Sequence, residues 1–275
     1  MCMGLGCNAA GVVGCRIIDS PRERIIATLT NNFMPCNGRF PILITMSALL
    51  AAGSLGGIAG ALIMLCTVVV GVLVTLAVSK LLSMTILRGK ASGFTLELPP
   101  YRRPQIGSII IRSVFDRTLF VLARAAAVAA PAGLIIWLLA NVTVGDATLL
   151  SHISSFLDPL GHIVGLDGVT LCAFLLGFPA NEIVLPLIVM GYTEAGVLGS
   201  DAGIAGILTA NGWGTLQYLN MLILTLFHFP CSTTVLTIKK ETGSIGYTLL
   251  AIVLPTVIGL ALCAVTTVVS GIWVT

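Results

Sequence analysis

Six residues of types that bind metal ions lie in short stretches that interrupt an otherwise apolar sequence. Each stretch contains glycine or proline, and the six residues are Cys7, Asn8, Cys36, Glu182, His228 and Cys231. Thiol, amide, carboxylate and imidazole groups together suit a borderline divalent transition metal better than Mg²⁺ or Ca²⁺, which prefer oxygen ligands. A site on a transport path must also release its ion, so we expect few ligands and incomplete burial, unlike a closed structural zinc site.

The stretch from Gly177 to Pro186 is the strongest of these signals, because it places Glu182 between Pro179 and Pro186. Proline removes a backbone donor and disfavours helix in the preceding residue, so the sequence predicts a helix broken at both prolines. Non-helical backbone at membrane depth is tolerated only where protein buries it or where it lines a cavity. An ionisable residue there indicates an ion path. The alternative for Glu182 and His228 is structural, as buried polar groups that fix a helix break.

The composition is that of an all-α, polytopic membrane protein with broken or re-entrant helices. Only 9% of the residues are charged and 57% are hydrophobic, and residues 243–275 carry no charge. A span needs about 20 apolar residues, and the uncharged runs provide about five to seven crossing or re-entrant elements. The net charge of +3 is too small to indicate a nucleic-acid partner. The apolar start without a signal-peptide pattern leads us to expect a truncated or split N-terminus.

Local signals define several of the elements that position the candidate ligands. Ser20, Pro21 and Glu23 form a helix start, and we expect this helix to run to Asn31. Two spans are expected in 41–87, and a third span ends near residue 139. The proline-rich stretch at 97–104 indicates an extended surface linker. It is followed by a helix that we expect to lie in the membrane interface.

The distribution of basic residues predicts the topology. No lysine or arginine occurs between residues 125 and 238, so the positive-inside rule places the loops at 141–167 and 193–201 outside. The segment 168–192 must then enter and leave on the outer side as a re-entrant hairpin. The runs 205–238 and 245–271 would cross inward and outward.

Two halves of the chain resemble each other in kind. Leu5–Val13 is similar to Gly177–Leu185, and Phe33–Asn37 is similar to His228–Ser232. Each half therefore has a broken helix with a polar residue, followed by a Pro-Cys break. Paired interrupted segments at corresponding positions are typical of a transporter whose site lies between inverted repeats.

Several of these motifs closely resemble the membrane domain of bacterial ferrous iron transport protein B. They run in a consistent order along the chain and are Gly6-Cys7-Asn8, Arg16–Arg24, Pro35–Pro41, Glu97–Tyr101 and His228–Thr234. The resemblance implies two gate repeats and Fe²⁺ as the transported substrate in a multi-pass protein of the bacterial plasma (inner) membrane. Cys7, Cys36 and Cys231 match the membrane cysteines of the family, and Glu182 matches an acid of its second gate, with Asn8 and His228 as helpers. Ala10 stands where the first gate of the family usually has proline.

The resemblance also divides the chain and implies its partners. The expected segments are a truncated first gate repeat with two following spans (1–90), a cytoplasmic linker with an interfacial amphipathic helix (91–124), and a second gate repeat with a C-terminal span (125–275). GTP would act only through a missing N-terminal G-domain half, so the chain itself is not expected to be an enzyme. Further expected partners are membrane lipid, a small cytoplasmic SH3-like accessory protein and a second copy of the chain, and no nucleic acid is expected.

Two rival hypotheses remain open from the sequence. Gate repeats also resemble nucleoside transporters, so the chain could be a nucleoside-type carrier. Such a site should contain more amide, hydroxyl and aromatic groups at the breaks and should not need cysteine. The other rival is a non-transporting remnant of a split gene.

Overall fold

The protein is all-helical apart from one short antiparallel strand pair, and the computed structural model describes residues 2–52, 57–85, 107, 111, 120–144, 147–193 and 203–274. The predicted all-α membrane fold is thereby confirmed. The helices with at least seven residues are α1 (Asn8–Gly14), α2 (Pro21–Thr30), α3 (Phe40–Ala51), α4 (Gly57–Met84), α5 (Phe120–Asn141), α6 (Leu149–Ile163), α7 (Gly168–Leu176), α8 (Val184–Thr193), α9 (Ile204–Ala210), α10 (Thr215–Phe227), α11 (Ser232–Thr242) and α12 (Ile245–Val274). The strands are β1 (Thr143–Val144) and β2 (Ala147–Thr148).

Helix α2 begins where the sequence predicts. Pro21 occupies its first turn, and the backbone N–H of Glu23 donates to Ser20 Oγ at 3.4 Å. A 3-10 turn over Asn31–Phe33 continues the helix and ends before Pro35. The first Pro-Cys break therefore follows this helix directly.

Three segments within the described residues are long and apolar enough to cross a membrane. They are α4, the broken helix from Thr215 to Thr242 that contains α10 and α11, and α12 up to Gly271. Helix α3 has 12 residues, so at 1.5 Å per residue it is about 18 Å long, which is short of the hydrocarbon core. Of the two helices expected in 41–87, α4 is therefore the one with the length of a span.

Helices α6 and α7 form a bent pair that meets at 110°. Their turn includes Gly165, whose φ of 65° is a left-handed conformation that favours glycine. The sequence analysis predicted that this turn belongs to an outer loop at 141–167 and that the re-entrant hairpin is formed by 168–192. The structure shows the sharp bend one helix earlier.

The predicted break at Pro186 is wrong. The chain is non-helical around Pro179, and a 3-10 turn over Asn181–Ile183 then leads directly into α8. Pro186 lies in the first turn of α8, where the N–H that proline lacks has no partner within the helix. The second gate therefore contains one break before α8, not two.

Helix α10 lies at the centre of the molecule. It packs against α3 and α12, and most of its side chains are buried, among them Met221, Leu222 and Leu224. Asn220 on α10 donates its amide to the Val164 carbonyl at 2.8 Å, which ties the α6–α7 turn to the core. Of the predicted linker and interfacial helix at 91–124, nearly all lies outside the described residues.

Candidate metal path at the helix breaks

The two halves of the chain make the same hydrogen bond between their two breaks. In the first half, Asn37 N–H donates to the Gly6 carbonyl at 3.1 Å. In the second half, Ser232 N–H donates to the Phe178 carbonyl at 2.8 Å. Asn37 and Ser232 each directly follow the cysteine of a Pro-Cys break. The bond supports a structural duplication of the two halves.

The backbone of the first break in each half supports the same duplication. Cys7 has φ −148° and ψ 123°, and Ala180 has φ −151° and ψ 122°. Each is an extended residue that precedes an asparagine and a helical turn. Asn8 and Asn181 therefore occupy corresponding positions, although the sequence singled out only Asn8.

All three cysteines in the breaks precede the first residue of a helical turn. Cys7 precedes α1, Cys36 precedes the 3-10 turn that leads into α3, and Cys231 precedes α11. Backbone N–H groups at a helix start are oriented toward this position and favour negative charge there. The three thiols therefore share one place in the local fold, where extended backbone turns into a helical turn.

Asn181 joins Cys36 of the first half to His228 of the second half. Its Nδ2 donates toward Cys36 Sγ at 3.8 Å, and its Oδ1 lies 3.2 Å from His228 Nε2. All three side chains are buried, and Asn181 and His228 are 4% and 2% exposed. A thiol, an amide and an imidazole thus meet where the two halves contact each other.

The proton positions in this junction follow from the fixed acceptors. His228 Nδ1 lies 2.9 Å from the Thr225 carbonyl and 3.2 Å from the Leu224 carbonyl, so Nδ1 carries a proton and donates. In a neutral imidazole, Nε2 then offers a lone pair. That lone pair is matched when Asn181 turns its NH₂ toward His228 and its oxygen toward the Cys36 thiol, and the two amide orientations are assigned from such networks.

Glu182 lies at the same junction but outside the buried cluster. It is exposed, and a Cβ added to Gly38 would lie 3.2 Å from Glu182 Cγ and 3.6 Å from Oε1. The first-half turn that follows Cys36 therefore contacts the second-half turn that contains Glu182. The lack of a side chain at Gly38 allows this approach.

Arg39 is a buried cation that links the two halves. Its Nη1 donates to the carbonyls of Asn32 and Leu226 at 3.1 and 2.9 Å, and its Nη2 donates to the carbonyls of His228 and Phe229 at 2.9 and 3.4 Å. The side chain is 0% exposed, and no carboxylate among the described residues lies within ion-pair distance. Its charge interacts with the thiols of both Cys36 and Cys231.

The other predicted ligands are more dispersed. Cys7 is exposed, and the partly exposed Cys231 lies 3.3 Å from the Thr234 hydroxyl. Asn8 is buried, and its Oδ1 has no hydrogen-bond partner. In the described part of the chain, no three His, Cys, Asp or Glu side chains are grouped closely enough to hold a metal ion. Any ion at the breaks would therefore need amide or backbone oxygens as further ligands.

Sequence reasoning missed Asn181 and Arg39 as site residues. Asn181 stands directly before Glu182, and the ionisable carboxylate was predicted as the ligand instead of the neighbouring amide. Arg39 is the last charge before a long apolar run that reaches Lys80. A charged residue at the edge of such an apolar run can indicate a buried polar site, and this was the signal that the sequence offered for Arg39.

Two family models match the chain. The model described as ferrous iron transport protein B C terminus matches residues 64–116, and the model described as Nucleoside recognition, the Gate model, matches residues 122–245. Curated relatives align with the chain from near one end to the other. One of them, the Fe(2+) transporter FeoB of Staphylococcus aureus (strain MSSA476), is 29% identical over 268 residues, which is 94% of the chain.

The chain is thus similar to the C-terminal part of ferrous iron transport protein B. It spans 38% of the length of the Staphylococcus aureus relative. The FeoB transporters of Synechocystis sp. and Methanocaldococcus jannaschii are 27% and 24% identical, over 93% and 88% of the chain and 40% and 37% of the relatives. No solved structure matches the chain. The predicted membrane location is confirmed by the similarity to FeoB transporters and by the long apolar helices of the chain.

Proposed function

We propose that this chain is the membrane part of a ferrous iron importer in the bacterial plasma (inner) membrane. The observation that carries the proposal is the junction of Cys36, Asn181 and His228, in which soft and borderline donors from both halves meet beside two helix breaks. Relatives named Fe(2+) transporters align over most of the chain, which supports Fe²⁺ as the substrate. Cys7, Asn8, Glu182 and Cys231 would extend the path on either side of the junction.

The donor set suits an ion that must be both bound and released. A thiolate, an amide oxygen and an imidazole nitrogen fit Fe²⁺ among the divalent metals, and three ligands hold it less tightly than a closed site. With its oxygen next to His228 Nε2, the Asn181 amide could coordinate an ion beside the imidazole. Rotation of the amide would instead turn its NH₂ to the Nε2 lone pair, so the same side chain could pair with His228 before and after an ion passes.

The origin of the ligands suggests how transport could proceed. Cys36 belongs to the first half, whereas Asn181 and His228 belong to the second half, so a small movement of one half against the other changes the ligand set. Alternating access in transporters with repeats is largely such a rigid-body movement. A G-domain half, acting through GTP, would drive or gate the movement. The SH3-like partner and the second copy of the chain stay predictions, as does the absence of enzymatic activity in the chain itself.

The proposal predicts that Cys36→Ser and Cys231→Ser each lower Fe²⁺ uptake by about tenfold or more, because a hydroxyl is a poor replacement for a thiolate at a metal. Uptake of radioactive Fe²⁺ would be measured under reducing conditions in cells that lack their own iron importers. The chain would be expressed together with the proposed G-domain half. Cys66→Ser is the matched control, because Cys66 is an exposed cysteine in the middle of α4. Wild-type uptake by both the Cys36→Ser and the Cys231→Ser variant, at equal membrane levels, would rule out the proposed path.

A nucleoside-type carrier is the second candidate, because the Gate model that matches residues 122–245 is described as Nucleoside recognition. Uridine should then compete with the transported substrate, and both cysteine variants should retain transport. The iron path is the better supported of the two, since the junction places a thiol and an imidazole on the same amide. Lack of uridine competition, together with loss of iron uptake in the variants, would exclude this candidate.

A further inference from the structure

A cavity of about 290 Å³ lies between α6, α7 and α8, away from the junction of the breaks. Part of its lining is apolar. The rest carries groups that can ligate a cation, and they are Thr148, Ser151, Ser154, Ser155, Asp158 and Cys172. A liquid water occupies about 30 Å³, so the space admits a divalent ion with its first shell of six waters.

Asp158 is held in a fixed orientation in the wall of this cavity. Its Oδ1 accepts from the Gly168 backbone N–H at 2.9 Å, and its Oδ2 lies 3.3 Å from His162 Nε2. The carboxylate side chain is 47% exposed, so it lies close to the opening. A fixed, partly hydrated carboxylate is a ligand that a cation can reach without losing all its water.

Cys172 lines the same cavity and is much more buried than Asp158. Its side chain is 2% exposed, and no hydrogen bond joins its thiol to another residue of the described chain. A buried thiol without a partner, in the wall of a cavity that also holds a carboxylate and hydroxyls, is a donor available to a ligand. The ligand groups thus change from oxygen near the opening to sulfur at depth, which is the order in which a borderline metal would lose its water.

Two residues that line the cavity flank the break that contains Asn181. Leu176 is the last residue of α7 before this break, and Leu187 lies in α8 after it. The predicted topology places residues 141–167 outside, so the opening would face the side from which the ion comes.

We propose that this cavity is an entry vestibule that binds a hydrated divalent cation before it reaches the junction. Asp158 and the hydroxyls hold the hydrated ion, and Cys172 provides the first soft ligand. The proposal rests on the proposed function for the identity of the ion as Fe²⁺. Binding of a divalent metal at Asp158 and Cys172 is separate from transport and is measured on its own.

The test measures the reaction of Cys172 with a small water-soluble thiol reagent in the complete transporter, with peptide mass spectrometry to identify the labelled cysteine. Co²⁺, a redox-stable substitute for Fe²⁺, should slow labelling of Cys172 several-fold. Asp158→Asn should remove this protection while keeping the fold, because the amide oxygen still accepts from Gly168 N–H. It should also raise the Fe²⁺ concentration for half-maximal uptake several-fold. Asp19→Asn, which removes the same charge at an exposed position outside the cavity, should change neither value.

The outcomes separate this proposal from the iron path itself. Absence of labelling at Cys172, labelling that Co²⁺ does not slow, or protection that persists in Asp158→Asn would each overturn the vestibule. Uptake that survives Cys36→Ser and Cys231→Ser while Co²⁺ still protects Cys172 would overturn the proposed path and leave the vestibule in place. Loss of uptake in those variants, with no protection of Cys172 by Co²⁺, would overturn the vestibule and leave the proposed path in place.

Discussion

Replacement of Arg39 by methionine is expected to lower the free energy of unfolding by about 3 kcal/mol or more, since a buried acceptor left without a donor costs about 1–3 kcal/mol. Arg39 satisfies the carbonyls of Asn32, Leu226 and His228 at 2.9–3.1 Å. These carbonyls lie at the ends of two helices, where they have no partner within the helix. Methionine matches the length of the arginine stem but donates nothing.

The opposing effect is the removal of a buried charge, which by itself favours the variant. We expect the lost hydrogen bonds to dominate, because the guanidinium is matched by several carbonyls and by the negative ends of two helix dipoles. Thermal unfolding of the detergent-solubilised protein measures the balance. A midpoint equal to or above that of the wild type would show that burial of the charge costs more than its hydrogen bonds return.

Two further variants give this measurement its controls. Arg16→Met removes an exposed arginine whose two bonds to Glu241 are 2.6 and 2.7 Å long, and exposed pairs contribute little, so the midpoint should hardly change. Arg39→Lys keeps the charge but cannot span carbonyls from both halves with one nitrogen. It should fall between the wild type and Arg39→Met in stability. It should also lower uptake, because the spacing of Cys36 and His228 is no longer fixed.

Local rules were sufficient to predict where helices start and where they break. The cap at Ser20 is formed as expected, and the glycine and proline near Cys7, Cys36 and Cys231 do place these cysteines at helix starts. These rules act over a few residues, so they can be read directly from the sequence. The polar character of the breaks in an apolar chain then indicated the region in which Cys36, Asn181 and His228 meet.

The contacts between the breaks could not be predicted in the same way. Cys36 and Asn181 are 145 residues apart, and Arg39 and Leu226 are 187 residues apart. Which breaks meet depends on how whole helices pack, and neither proline nor glycine patterns contain that information. The error at Pro186 has a related cause, since proline breaks a helix interior but not a first turn. Whether Pro186 breaks a helix or fits into it therefore depends on where the helix starts.

The close packing of α6 and α7 could not be predicted from the sequence either. It leads to a second large expected effect of a substitution. We expect Gly168→Ala to prevent normal folding of this helix pair. A Cβ at Gly168 would lie 1.9 Å from the Ser154 carbonyl oxygen and 2.7 Å from the Asp158 backbone nitrogen. Both are backbone atoms of α6, so no side chain can turn away to make room. Gly161 on the opposite helix is similarly close, with its Cβ position 2.7 Å from the Asp167 carbonyl carbon.

The control for this variant is Gly133→Ala in α5, where an added Cβ would meet no atom within 4 Å. Alanine in an open helix position is favoured over glycine by about 0.5–1 kcal/mol. Gly133→Ala should therefore keep or slightly raise the thermal midpoint, whereas Gly168→Ala should lower it sharply or prevent accumulation in the membrane. A wild-type midpoint for Gly168→Ala would mean that the two helices are farther apart than the structure shows.

Comparison of Gly168→Ala with Asp158→Asn separates the shape of the vestibule from its charge. The alanine variant separates α6 from α7 and breaks the bond from Gly168 N–H to Asp158, so any folded fraction should label faster at Cys172 and show no protection by Co²⁺. The asparagine variant keeps the helices together and removes only the charge, so its thermal midpoint should stay near that of the wild type while protection is lost. Loss of protection with an intact fold can then be assigned to the carboxylate, and loss of both to the packing that holds it.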